Sequence, residues 1–226
     1  MATQPAYPLR LEGTLDTPLS RGLWLVKWVL AIPHYFVLLF LWIAFVAVSV
    51  VAWFAILITG RYPRGLFDFS VGVLRWSWRV GFYSHSALGT DRYPPFTLDD
   101  VPDYPARLEV EYPEKLSRGL VLVKSWLLAL PHLFVVSLFV GGAMVPVGLI
   151  GLMVFIAGVA LLFTGQYPPT IFDFAMGMNR WVYRLYAYTA LMTDEYPPFR
   201  LDQGGQEPTI DPAQAPIAPT PVPMPS

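Results

Sequence analysis

The chain has 226 residues, of which 55% are hydrophobic, 15% aromatic and 14% charged; its mean hydropathy is +0.48 and its net charge −1. Soluble globular proteins carry roughly 25% charged residues, so this composition argues for an integral membrane protein, and it leaves no basic excess for nucleic acid. The absence of cysteine excludes disulfides, iron–sulfur clusters, thiolate zinc sites and cysteine nucleophiles.

Residues 1–16 are polar, contain Pro5 and Pro8, and lack a basic n-region, so a removable signal peptide is not expected. From Lys27 to Arg61 no charged residue intervenes. Residues 20–59 would make about 60 Å of helix, just enough for two crossings of a core about 30 Å thick. This predicts a transmembrane hairpin turning near residues 45–49, with one long tilted helix as the alternative. Residues 66–88 read as an aromatic-rich amphipathic helix. The alternation Arg107-Leu108-Glu109-Val110-Glu111-Tyr112 has the period of a half-exposed strand, and a small sheet at the membrane surface is expected there. A second uncharged run joins Lys124 to Asp173, and Gly141, Gly142 and Pro146 mark the tip of a second hairpin over 117–164. Another amphipathic helix follows over 171–191. From Gln203 the chain is Gly-, Gln-, Pro- and Ala-rich and should be disordered.

The two halves are copies. Tyr7-Pro8, Arg10-Leu11-Glu12, Ser20 to Leu23, Lys27 and Pro33-His34 recur as Tyr104-Pro105, Arg107-Leu108-Glu109, Ser117 to Leu120, Lys124 and Pro131-His132. Thr59-Gly60, Tyr62-Pro63, Phe67-Asp68-Phe69, Arg75-Trp76 and Arg79 return as Thr164-Gly165, Tyr167-Pro168, Phe172-Asp173-Phe174, Arg180-Trp181 and Arg184. Asp91 to Phe96 returns as Asp194 to Phe199. The offset between copies grows by about seven residues inside the second apolar run, as an insertion at a turn would produce. The organisation expected is repeat 1 over 1–100, repeat 2 over 101–202 and a tail over 203–226. The fold class expected is an all-α membrane protein of two tandem repeats, each a transmembrane helical hairpin plus an amphipathic interfacial helix, with short extended segments in the connectors.

These motifs resemble a family of bacterial membrane proteins known as domain of unknown function 4389, over residues 7 to 202. The resemblance implies a family and a duplicated domain, and no reaction that could be carried over. Repeat 2 departs from repeat 1 at Gln166 for Arg61 and Pro169 for Arg64, so a role of those two arginines would belong to repeat 1 alone.

Candidate site residues lie mainly on one stripe. Asp68, Gly72, Arg75 and Arg79 are spaced to share a helix face, and Asp173, Gly177, Arg180 and Arg184 repeat it. Two mid-helix arginines are too costly facing lipid, which places both helices in the interface plane. Either the acids lock the arginines, or the guanidinium groups grip lipid phosphates. Trp76 and Trp181 suit both, because indoles favour the headgroup level. The lock is favoured, since an aspartate would repel a phosphate, with the outer Arg79 left for lipid. Lys27 with His34 and Lys124 with His132 are weaker candidates. The first pair is seven residues apart and the second eight, which rotates one partner by about 80° and argues against a functional pair. The expected roles are a snorkelling lysine and a histidine bonded at a proline kink.

No catalytic motif and no metal-ligand spacing is present, so neither an enzyme nor a cofactor is expected. The function expected is a non-enzymatic accessory or partner-binding membrane component with a basic and aromatic rim touching membrane lipids. Another membrane protein or a second copy of the chain would be its partner. The alternative is a small transporter or channel with its site between the repeats. Lysines and arginines flank both apolar runs and are absent from the tips, which predicts four crossings with both termini cytoplasmic.

Overall fold

The computed structural model describes residues 7–142 and 147–202. The Pro-rich tail and the centre of the expected second tip, including Pro146, lie outside the described residues. The fold is mostly helical. Strand β1 (Leu9–Gly13) leads to α1 (Trp24–Leu30), α2 (Ile32–Thr59) and α3 (Arg64–Ser84). Strand β2 (Ala106–Val110) then opens the second copy, followed by a 3-10 turn (Leu120–Leu122), a π-helical turn (Lys124–Leu128), α4 (Leu130–Val140), α5 (Leu149–Thr164) and α6 (Pro169–Thr189).

The two strands form one antiparallel sheet, the extended pieces expected in the connectors. Their alternation is buried-out: Leu9, Leu11 and Leu108 are buried while Arg10 and Glu109 are exposed. Leu11 pairs with Leu108, its own counterpart in the other copy, so a pseudo-two-fold axis passes through that pair. The copies exchange strands across it. Arg180 Nε of α6 donates to the Leu11 carbonyl of β1, and Arg75 Nε of α3 donates to the Leu108 carbonyl of β2. Each strand therefore completes the other copy, and residues 1–100 and 101–202 are sequence repeats but not separate packing units.

Further out the exchange continues. Trp53 Nε1 of α2 donates to the Val121 carbonyl at 3.0 Å, and Trp24 lies against Gly158 of α5, whose added Cβ would fall 2.9 Å from the indole. These are the same contact seen from the two copies, with large and small residues exchanged.

The hairpin expected in repeat 1 is not formed: α2 runs unbroken through residues 45–49, as the long-helix alternative had it. No Gly or Pro interrupts that stretch, and Ser49 Oγ simply bonds back to the Phe45 carbonyl at 2.8 Å. In repeat 2 the break falls at the expected glycines, between Val140 and Leu149. It is not a hairpin tip. Gly148 sits against the backbone of Val140 and Gly141, so the described residues on the two sides of the break meet. Both outer ends of the α4–α5 pair make the contacts that the ends of α2 make. His132 stacks on Phe199 as His34 does on Phe96, and Gly165 meets Arg21 as Gly60 meets Arg118. In α2 those ends lie about 40 Å apart, whereas a hairpin would bring them together.

Gly60 and Gly165 end the long helices with φ of 72° and 74°, the left-handed conformation that requires glycine. Thr59 and Thr164 bond back to Ala55 and Ala160, and the tyrosine that follows each glycine is buried before a proline starts the next helix. That accounts for the repeated Thr-Gly-x-Tyr-Pro.

Helices α3 and α6 form the central layer. One face carries the sheet and connectors; another receives α2 or the α4–α5 pair. Trp78 of α3 meets Tyr183 of α6 edge-on, and Phe82 meets Phe172. The expected lipid-facing aromatic surface on these helices is absent, because Trp76, Trp78 and Trp181 are buried.

Candidate functional site

The stripe of α3 is organised by carbonyls, not by its aspartate. Asp68 is exposed and makes no ion pair or hydrogen bond among the described residues. Gly72 lets Leu98 approach so closely that an added Cβ would lie 2.8 Å from the leucine Cβ. Arg75 Nε holds the Leu108 carbonyl at 2.9 Å. Arg79, 2% exposed, donates to the Asp99 carbonyl at 2.8 Å and to that of Thr97.

The second copy repeats this. Asp173 is exposed, Gly177 meets Leu201, and Arg184 donates to the carbonyls of Arg200 and Asp202. The aspartate–arginine lock is thus corrected, and so is the idea that Arg79 stays free for lipid. A carbonyl clamp explains why the helix carries arginine: one planar fork satisfies two carbonyls of an irregular connector at once. Burial lowers the pKa of both Arg79 and Arg184, the latter to about 10.

Lys27 and Lys124 do not snorkel. Lys27 is 1% exposed; its ammonium donates to the Thr90 carbonyl at 2.6 Å and pairs with Asp91 at 2.8 Å. The other Asp91 oxygen accepts the Ser20 backbone N–H at 2.6 Å. Lys124, 0% exposed, has the same partners in Thr193 and Asp194, and Ser117 N–H donates to Asp194 at 2.5 Å. Each aspartate therefore ties the entry of the first helix to the turn after the third. Burial pulls both lysines below the ordinary range, against the opposing pull of their aspartates.

His34 and His132 are buried. Each accepts an indole N–H at Nδ1, from Trp76 at 3.0 Å and Trp181 at 2.9 Å, which fixes the proton on Nε2. Phe96 and Phe199 cover the rings. The change in spacing from seven residues to eight does not rotate one partner away. The π-helical turn Lys124–Leu128, with Leu128 N–H bonded to Val123 O, absorbs the extra residue and preserves both contacts.

Asp91, Asp194, Phe96 and Phe199 were singled out only as parts of a repeated motif, yet they are what Lys27, Lys124, His34 and His132 hold. These clusters are symmetric and buried, and the chain itself supplies their partners, except that Nε2 of His34 and His132 and Nε of Arg79 and Arg184 have none among the described residues. They bring no nucleophile beside a free base, and among the described residues no group of three His, Asp or Glu could hold a metal ion.

The model of one family matches residues 21–97 and again residues 122–200. No curated protein and no solved structure matches the chain. The two matched segments begin at the entry of each first helix and end at the connector that covers each arginine stripe. The chain belongs to the family described as domain of unknown function (DUF4389), and carries two tandem copies of that domain.

Proposed function

We propose that this protein is a non-enzymatic membrane component. Its apolar layer, α2 with α4 and α5, sits in lipid, and its sheet and connectors offer a polar face to water and to a partner. The observation that supports this is the bare surface of α2. The helix is long and apolar enough to cross a membrane, yet only 17% of its most apolar window is buried within the fold. Phe36, Ile43 and Ile58 are 65%, 60% and 70% exposed, and Phe134 and Phe163 continue the surface on α4 and α5 at 67% and 77%. A contiguous apolar face of this extent needs a membrane or a partner to cover it.

The same geometry argues for both ends of α2 at one water face. His34 is stacked on Phe96, and the Gly60 carbonyl accepts Leu116 N–H at 2.9 Å. Phe96 and Leu116 bound a single connector whose Asp99, Asp100, Asp103, Glu109, Glu111 and Glu114 are exposed. So many charges do not belong in hydrocarbon. Helix α2 would then lie along the polar layer, bedded in lipid on its outer side, in place of the four crossings expected from run lengths. Arg10, Arg21, Arg61, Arg64 and Arg118 all belong to this polar side, which favours its facing the cytoplasm.

Alkaline carbonate washing of membranes that contain the full chain tests lipid residence: the protein should stay in the pellet, and release to the supernatant would contradict it. Crosslinking with mass spectrometry in native membranes should then return partner crosslinks on the connectors, at Lys115 above all, an exposed amine on that face.

A further inference from the structure

The duplication is most uneven around one cavity. A space of about 550 Å³ opens between the copies, bounded by α2, α3, α6 and the break between α4 and α5. Leu38, Leu39, Val80, Ile150 and Val182 give it apolar walls, and no Asp, Glu, Lys or Arg lines it. Its polar side chains include Ser86, Tyr183 and Tyr186, and a further four, Tyr35, Ser77, His85 and Asn179. At the positions equivalent to these four in the other copy stand Leu133, Val182, Ala190 and Leu74. All four are thus placed where the sister position is apolar.

Hydrogen accounting shows what they offer. Ser84 Oγ spends its proton on the Val80 carbonyl at 2.6 Å, so it acts as acceptor toward Tyr35 OH at 2.8 Å and His85 Nδ1 at 2.9 Å. Tyr35 OH also lies 3.1 Å from His85 Nδ1, so the three groups close a triangle, and Nε2 of this exposed histidine has no protein partner. Asn179 is 2% exposed and uses both amide protons, on the Ser86 and Ala175 carbonyls at 2.8 Å each, which leaves its Oδ1 unpartnered. Ser77 Oγ accepts the Trp42 indole N–H at 3.0 Å, and its own proton finds no acceptor. An acceptor without a protein partner at the wall of a cavity is free for a ligand to use.

We propose that this cavity binds a neutral, largely apolar molecule bearing a hydroxyl, of the phenol or long-chain alcohol class. The volume lies within the roughly 300–1,000 Å³ of ordinary ligand sites. The walls exclude a charged head, while one of these polar groups, Asn179 Oδ1 or His85 Nε2, pairs with the ligand hydroxyl. The assignment rests on the cavity alone and stands whichever way the protein sits in lipid.

The test uses the purified full chain in detergent, with bromine quenching of Trp42 as readout and two probes of equal shape, 4-bromophenol and 4-bromotoluene. Gly151 lines the cavity and an added Cβ there would meet nothing within 4 Å, so Gly151→Leu adds bulk at the cavity's edge without clashing. The expected result is saturable quenching by the phenol and binding of the toluene at least about tenfold weaker. Gly151→Leu should lose the saturable phase, and His85→Leu should weaken the phenol about fivefold while leaving the toluene unchanged. Absence of saturable quenching in the wild type, equal affinity for the two probes, or unchanged binding by Gly151→Leu would each overturn the proposal. Because Gly151→Leu adds bulk only into open space, it keeps the test decisive even if His85→Leu misfolds.

Discussion

Leu11 of β1 is paired with Leu108 of β2, and these two residues occupy the same position in the two copies. Everything near that pair is shared: the first copy's strand serves the second copy's α6, and the reverse. A single copy cannot satisfy its own stripe, since Arg75 needs the Leu108 carbonyl. Residues 1–100 expressed alone should therefore form a symmetric dimer in which β1 of each chain covers α3 of the other. Light scattering in detergent measures this; a folded monomer would contradict the exchange.

Trp24 on Gly158 and Trp53 on Val121 give a packing test. Gly158→Ala should cost about 1–3 kcal/mol by overpacking against the indole, less up to about 1 kcal/mol of helix propensity gained. Trp24 Nε1 is buried without a partner, whereas Trp53 Nε1 has one. The double change Trp24→Val with Gly158→Trp copies the other copy's arrangement. It should recover most of the loss seen in Gly158→Trp alone, read as melting temperature. Additive losses would show that the two contacts are not equivalent.

The carbonyl clamp makes different demands from the lock. Asp68→Ala should change stability by less than about 0.5 kcal/mol, as for other exposed positions. Arg79→Ala should cost about 2 kcal/mol, because two part-buried carbonyls lose a charged donor. The Asp68/Arg75 double-mutant cycle should be additive within about 0.5 kcal/mol. A coupling above 1 kcal/mol would restore the lock.

For the lysines the sign follows from burial. The folded pKa of Lys27 and Lys124 lies below that of a free lysine, so in the window between the two values the unfolded chain binds more protons. Their penalty is present in full at neutral pH and is relieved as pH rises through the folded pKa. This contribution should raise stability as pH climbs through the folded pKa toward that of free lysine, and replacing both by Met should remove the rise. Tyr7 and Tyr104, whose pKa values are raised by burial, oppose it only above the ordinary tyrosine range. At pH 7, Lys27→Met alone should cost less than the 3–5 kcal/mol typical of a fully buried pair, because Asp91 is 27% exposed.

The sequence exposed the duplication, the family, the strand at residues 107–112 and the break at Gly141–Gly142, since each leaves a local mark; the partner strand Leu9–Gly13 went unread although it repeats the Arg-Leu-Glu of that strand. Run length misled for α2. The forty residues from Ser20 to Thr59 suit two crossings or one long helix with its entry segment, and what separates them is that no turn forms at residues 45–49. The stripe Asp68/Arg75/Arg79 was visible as a face, but its partners are backbone carbonyls, which have no side-chain signature. Counting residues from Lys124 to His132 predicted a rotated pair because a π turn cannot be seen in spacing alone. The cavity residues carried a signal that went unused: Tyr35, Ser77, His85 and Asn179 are positions where the copies disagree.

The central claim is that α2 has both ends at one water face while its outer side lies in lipid. Gly22 and Gly65 flank that helix, both are exposed, and an added Cβ at either meets nothing within 4 Å. The chain has no cysteine, so Gly22→Cys and Gly65→Cys each give a single thiol. Sealed vesicles treated with a membrane-impermeant maleimide provide the measurement. The account predicts that both positions react from the same side; labelling of one from outside and the other only from inside would make α2 a crossing and contradict it.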